Sequence, residues 1–293
     1  MLRALKAYIG SEILVRFLVD TVLKIGINTV TFLKEKPENR LELSKEAGFE
    51  GVEILAYPEE LTPERRSEMK NHLRRLNLEV MMIATGPPIA LGGGKFCLES
   101  PDKAVRERTV QYVKDCVDWA TDFGTDNIYL VTPTNKSDIL DPAKAVEWLS
   151  DSLTIACDYA KSAGVKICIE HSPGKLVGEA RYLNQLIEEC KIENFGALID
   201  IGHLNMTKED AMDTIMKTDR LYHVHFDNND GKNDIHTPLD VGTLPMSEVV
   251  KFVKALKQKK YDGYYSIELL NLQNPLKTLK ENIAILKNIY ENA

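Results

Sequence analysis

The sequence predicts a closed barrel of eight parallel strands wrapped by helices, a (β/α)8 fold. Three observations predict it. From Leu23 onward, short β-type runs alternate eight times with longer amphipathic segments, in units of roughly 25–45 residues. No linker, low-complexity tract or composition shift divides residues 23–293, which therefore read as one domain. Acidic and histidine side chains recur at the ends of the later runs, the end on which a parallel barrel opens its loops. A doubly wound open sheet is the competing architecture, but the GxGxxG expected after its first strand is missing and the polar positions do not gather at one switch point.

The first strand reads as LKIGINT (23–29), and Pro37 opens the helix after it, since proline is tolerated in a first helical turn. GVEIL (51–55) is the second strand, followed by a helix over 62–76 that starts at Thr62-Pro63-Glu64. LEVMMIA (78–84) is the third. The glycine-rich TGPPIALGGGK (85–95) reads as a solvated or lid-like loop, because the GGGK lacks the spacing of a phosphate-binding GxxxxGK[ST]. A long helix runs from Asp102 to Phe123. DNIYLV (126–131) precedes a helix over 141–163, VKICIE (165–170) one over 179–190, and GALID (196–200) one near 207–218. LYHVHF (221–226) and GYYSIEL (263–269) are the last strands, with helices over 245–258 and 275–291.

Composition narrows the function classes. With 44% hydrophobic and 28% charged residues the chain is ordinary globular protein, and its formal charge of −7 disfavours nucleic acid or an anionic membrane as the main partner. Five scattered cysteines, odd in number and never spaced CxxC, indicate neither a disulfide framework nor a thiolate zinc site. No apolar run approaches the ~20 residues that span a bilayer. Leu2, Leu5, Ile9, Ile13 and Phe17 recur at helical spacing, so residues 1–22 predict an extra N-terminal amphipathic helix. Glu12, Arg16 and Asp20 interrupt any signal-peptide core there, and a cytoplasmic protein is expected.

Residues 221–236, LYHVHFDNNDGKNDIH, concentrate three of the six histidines. Alternation along the strand puts His223, His225 and Asp227 on one face, an expensive interior unless each group has a partner. Other strand ends supply partners. Glu170 closes the fifth strand, Asp200 the sixth, and Glu268 nearly closes the eighth, so four neighbouring strands deliver Glu170, Asp200, His225 and Glu268 to one pocket. Three anionic groups held together repel each other unless a cation or shared protons intervene, and a divalent metal is the simplest resolution. Carboxylates with one imidazole form a hard set that suits Mn²⁺ best, with Mg²⁺, Co²⁺ or Zn²⁺ as alternatives. His203, in DIGH, and Asp234 and His236, in DIH, either orient substrate oxygens or fix the ligands. His223, deeper in its strand, reads as an outer partner or core.

The series IEH (169–171), DIGH (200–203), HVHFDNNDGKNDIH (223–236), GT (242–243) and SIEL (266–269) resembles the sugar phosphate isomerase/epimerase superfamily of xylose isomerase-like TIM barrels. The likeness runs from LKIGINT to the last helix and leaves out residues 1–22. It implies one divalent ion held by Glu170, Asp200, His225 and Glu268, with Glu170 and Glu268 also moving the proton through a cis-enediolate, as in ketose 3-epimerases. It further implies that His203 and His236 hold substrate oxygens, that the substrate is a small carbohydrate, and that the chain forms dimers or tetramers.

The ketose 3-epimerases usually carry another glutamate shortly after the fifth strand, where this chain has Lys175 and Leu176, with Glu179 only later. Lys175 or Lys95 could instead meet a carboxylate or phosphate. The same site could also serve a hydroxy-keto-acid isomerase or a sugar or inosose dehydratase, since enolisation is the shared step. A phosphodiesterase like the superfamily's apurinic endonucleases is disfavoured, because the third and fourth strand ends lack the histidines that complete a three-metal cluster.

Overall fold

The computed structural model describes residues 23–293, so the helix expected over 1–22 lies outside the described residues. Eight parallel strands close in chain order: β1 (Lys24–Asn28), β2 (Gly51–Leu55), β3 (Glu79–Ala84), β4 (Asn127–Leu130), β5 (Lys166–Glu170), β6 (Phe195–Asp200), β7 (Leu221–Phe226) and β8 (Tyr264–Ile267), with β8 paired back onto β1. The ring is shielded by α1 (Pro37–Ala47), α2 (Pro63–Leu76), α4 (Lys103–Phe123), α5 (Pro142–Ser162), α6 (Ala180–Cys190), α9 (Met246–Gln258) and α10 (Pro275–Asn292), while α3 (Gly86–Leu91), α7 (Ile201–Thr207) and α8 (Ala211–Lys217) are short. None of the described helices is long and apolar enough to cross a membrane.

Local chemistry sets the helix ends. Asp102 accepts from the Ala104 amide at 2.8 Å and Asp141 from the Lys144 amide at 3.0 Å, each satisfying an otherwise orphaned first-turn donor. Pro37, Pro63, Pro142 and Pro275 open their helices. Gly48 and Gly124 end α1 and α4 in the left-handed conformation. Two expectations are corrected. The stretch 85–95 is not all loop, because α3 forms over its GPPIAL. The helix expected near 207–218 forms as α8, but the loop expected after the sixth strand is replaced by α7, which starts directly on Asp200. The Asp200 carboxylate supplies the cap that lets α7 begin without a loop.

Strand alternation sorts the side chains. Ile27, Ile54, Ile83, Ile128, Ile169 and Val224 face the helices, whereas Leu55, Met82, Tyr129, Cys168 and Leu198 form a second cluster inside the barrel. Two register irregularities decide what reaches the site. On β7 Tyr222 is an extra residue: Ala197 pairs with Leu221, yet Leu198 pairs with His223 and Asp200 with His225. An unbroken ladder from the Ala197–Leu221 pair would set Val224 opposite Asp200, with the histidines on the wrong face. On β3 Met81 is extra in the same way, so that Glu53 stands level with Met82.

Candidate active site and metal centre

Glu170, Asp200 and His225 stand at or near the C-terminal ends of their strands, and Glu268 lies one residue past β8. All four are buried, and each contributes one donor atom to a cluster whose members lie within 4.8 Å of one another. Nδ1 of His225 is 2.9 Å from Glu170 Oε1, 2.8 Å from Glu268 Oε2 and 3.9 Å from Asp200 Oδ2. Asp200 divides its two oxygens: Oδ1 accepts from the His203 amide at 2.9 Å, while buried Oδ2 has no hydrogen-bond partner. Glu268 is oriented by Asn28 of β1, whose amide donates to Oε1 at 2.9 Å and also reaches the Tyr129 hydroxyl at 3.1 Å.

The electrostatics follow from this crowding. Burial pushes the Glu170 carboxyl up, with repulsion from Glu268 adding and His225 opposing. Burial would raise Asp200 too, but His203, His236 and His225 outweigh it and hold that carboxyl below its ordinary range. Burial opposes a charge on His225, yet Glu53, Glu268 and Glu170 raise its ring well above an ordinary histidine. Three oxyanions, one imidazole and an orphaned carboxylate oxygen in a dry pocket fit a divalent cation.

His203, Asp234 and His236 form a neighbouring group. Asp234 Oδ1 receives Nε2 of His203 at 3.2 Å and Nε2 of His236 at 3.1 Å, and the two rings hold its carboxyl far below the usual range despite partial burial. Nδ1 of His203 donates to the His171 carbonyl at 2.6 Å. Each ring flanks one glutamate: His203 Nδ1 is 4.0 Å from Glu170, and His236 Nδ1 is 4.0 Å from Glu268. Nδ1 of His236 also contacts the Asp227 carboxylate. Burial and the nearby Asp200 push Asp227 up to about 8, against the pull of His236. Gly202 is required beside it, because a Cβ there would lie 1.7 Å from Asp227 Oδ1.

Several participants escaped the sequence reading. Glu53, fully buried on β2, accepts from Nε2 of both His223 and His225 at 3.0 Å and from the Ser266 hydroxyl. One signal was available, since Glu53 is the lone charged residue in an otherwise apolar strand. His171 follows Glu170 outward from the barrel, and both its ring nitrogens are buried without partners. Asn28, Tyr129 and Asp227 show their roles only once the ring closes. Above the cluster opens a cavity of about 250 Å³, lined by Glu170, His203, Asp234, His236 and Glu268 on one side and by Pro87, Ala90 and Leu91 of α3 on another. Lys175 lines it and donates to Asn135 at 2.8 Å, whereas Lys95 stands over the Phe96 ring and Glu179 precedes α6, paired with Arg181.

Fold and site together define a parallel barrel with an acidic, histidine-rich pocket at the C-terminal ends of its strands. A family model for xylose isomerase-like TIM barrels matches residues 41–289, and the chain belongs to that family. It is 27% identical over 282 residues to an uncharacterized protein of Methanocaldococcus jannaschii, covering 90% of each chain. It is also 21% identical over 257 residues to the fructoselysine 3-epimerase of Shigella flexneri, covering 85% of this chain and 91% of that one. Among solved structures, an L-ribulose 3-epimerase superposes with a TM-score of 0.79 at 19% identity, over 92% of this chain and 95% of its own.

Two predictions arise from the packing around the site. Gly202→Ala forces the buried Asp227 carboxylate aside and lowers stability by about 1–3 kcal/mol in urea unfolding. Burial, reinforced by His203, lowers His171 to about 4. Between that value and the ordinary 6.5 the unfolded chain takes up a proton that the folded chain refuses, so stability falls as pH drops through this window. His171→Leu removes that component, and the metal-stripped variant should lose about 3 kcal/mol less than wild type between pH 6.5 and 4.

Proposed function

We propose that this protein is a metal-dependent isomerase of sugars or sugar phosphates, most like a ketose 3-epimerase, which relocates a proton on the carbon beside a carbonyl. The observation that carries the reading is the convergence of Glu170 and Glu268, from β5 and β8, on one nitrogen of His225 at the floor of the cavity. Two carboxylates reaching one point from separate strands can address a substrate carbon from two sides, which inversion of that carbon requires. The 3-epimerase relatives support the same class of reaction.

In this reading Glu170, Asp200, His225 and Glu268 would hold one divalent ion, with Mn²⁺ the best match to the donor set. When bound, the ion supplies Lewis-acid polarisation of the substrate carbonyl, which acidifies the neighbouring C–H. One glutamate takes that proton and the other returns one to the opposite face of the enediolate. Burial raises the basicity of Glu170, as a proton acceptor needs. Asn28 keeps Glu268 turned toward the reacting carbon. His203 and His236, each beside one glutamate and both fixed by Asp234, are held in the charged form by the surrounding carboxylates, and their field stabilises the developing oxyanion. The apolar wall of α3 excludes water from the enediolate.

A second reading concerns the substrate's tail. Lys175 lines the cavity and stands in sequence a few residues after Glu170, where the resemblance to ketose 3-epimerases leads one to expect a glutamate, and its neighbour Asn135 is neutral. That exchange of charge favours a substrate bearing a carboxylate or phosphate over a free ketose.

In D₂O with saturating Mn²⁺, the wild type should incorporate deuterium at a carbon-bound position of a ketose, ketose phosphate or hydroxy-keto acid, read by NMR. Glu268→Gln should slow that exchange about 10²- to 10⁴-fold with metal still bound. Chelation should abolish exchange and Mn²⁺ restore it; exchange that survives in both conditions sinks the mechanism. Lys175→Met should raise KM for phosphorylated or acidic substrates about tenfold, near the value of one charge-assisted hydrogen bond, and leave neutral ketoses unaffected.

A further inference from the structure

Below the ligand cluster, on the side away from the cavity, the barrel interior holds a carboxylate with no lysine or arginine beside it among the described residues. Glu53 is fully buried, and its three donors all use Oε1: His223, His225 and the Ser266 hydroxyl. They come from β7 and β8, three and two places around the closed ring from β2, so Glu53 reaches across the barrel. An ionised group so placed costs stability unless hydrogen bonds or an opposite charge compensate it.

Its position is directly behind His225. That ring is fully buried, with Nδ1 turned to the cavity-side carboxylates and Nε2 3.0 Å from Glu53. A neutral imidazole carries one proton on its two nitrogens. A cation that displaces the Nδ1 proton leaves a neutral ring, and the acceptor-only carboxylate behind Nε2 then keeps the remaining proton there, with the Nδ1 lone pair directed at the cluster. The donors from His223 and Ser266 fix the carboxylate in turn, and the extra residue on β7 sets both histidines facing it.

We propose that Glu53 is a positioning residue: it selects the tautomer and orientation of His225 in which Nδ1 can ligate a divalent cation, and so sets the affinity of the site. The inference rests on the reading that Glu170, Asp200, His225 and Glu268 hold the ion. His223, in this arrangement, serves to orient Glu53 and does not ligate.

Mn²⁺ titrations followed by electron paramagnetic resonance of the free ion test both levels on the full chain. Asp200→Asn reports on the ligand set, Glu53→Gln on the charge behind His225, and Ser266→Ala on the donor that steadies Glu53. Glu53→Gln should weaken Mn²⁺ binding about 10- to 100-fold, the usual cost of losing a ligand's outer partner. Ser266→Ala should weaken it less, in the same direction. Proton exchange lost by Glu53→Gln at limiting Mn²⁺ should return as Mn²⁺ is raised, which general damage to packing would not allow. If Glu53→Gln does not fold, Ser266→Ala alone carries the test. Wild-type affinity in both variants, with Asp200→Asn impaired, overturns the role of Glu53 and leaves the ligand set standing. No Mn²⁺ binding by the wild type, or no effect of Asp200→Asn, overturns the ligand set and the inference together.

Discussion

Three buried carboxylates and an imidazole share a space in which no donor is more than 4.8 Å from another, and their mutual repulsion is the constraint around which the top of the barrel is arranged. Each carboxylate is restrained by a neutral or cationic group that does not remove it from the cluster. Asn28 takes one oxygen of Glu268, the start of α7 takes one oxygen of Asp200, and His225 lies against Glu170. The second oxygens of Glu268 and Asp200, together with Oε1 of Glu170, stay turned to Nδ1 of His225. Loops would struggle to hold such a frustrated set, because the ordering cost would fall on flexible backbone. Strands in a closed ring have already met that cost through their ladders and the apolar cluster under the helices.

The same scaffold explains why the site is layered. Inward positions recur every second residue, so a strand that delivers a ligand also delivers a side chain one layer down. On β7 the pair is His225 over His223; on β5 it is Glu170 over Cys168; on β6 it is Asp200 over Leu198. On β7 and β8 the lower residue is polar, His223 and Ser266, and β2 answers both with Glu53. The cluster at the mouth therefore rests on a buried, hydrogen-bonded layer.

The sequence made the barrel legible because the eight alternations, the helix-opening prolines and the capping aspartates all pointed to one architecture. It also placed Glu170, Asp200, His225 and Glu268 at strand ends, which the closed ring brings to one cluster. Across-barrel partners stayed hidden: the Glu53–His225 contact joins residues 172 positions apart, and nothing local announces it. The register shift at Tyr222 was equally silent, since LYHVHF reads as a regular strand whether or not it bulges. The missed start of α7 has a plainer cause. Asp200 was read only as a candidate ligand, while the same carboxylate also caps a helix, and DIGH leaves no room for the loop assumed to follow.

The third and fourth strands contribute no residue to the four-membered cluster and shape another wall of the cavity. The third strand runs from Ala84 through Thr85 into α3, and the Thr85 hydroxyl is spent on the Tyr129 carbonyl. The fourth brings Tyr129, whose hydroxyl is kept protonated by burial and by the Glu268 and Glu170 charges. Gly86 is shaped around that ring, since a Cβ there would stand 2.6 Å from the hydroxyl. These positions hand the cavity a neutral phenol and an apolar helix where further metal ligands would have to sit. Under the function proposed above, a wall of that kind would face the carbon skeleton of a sugar. A hydrolase working through a metal cluster would need the same space for ligands and for its attacking water. What the third and fourth strands bring is therefore as informative about the reaction as the four residues that gather His225.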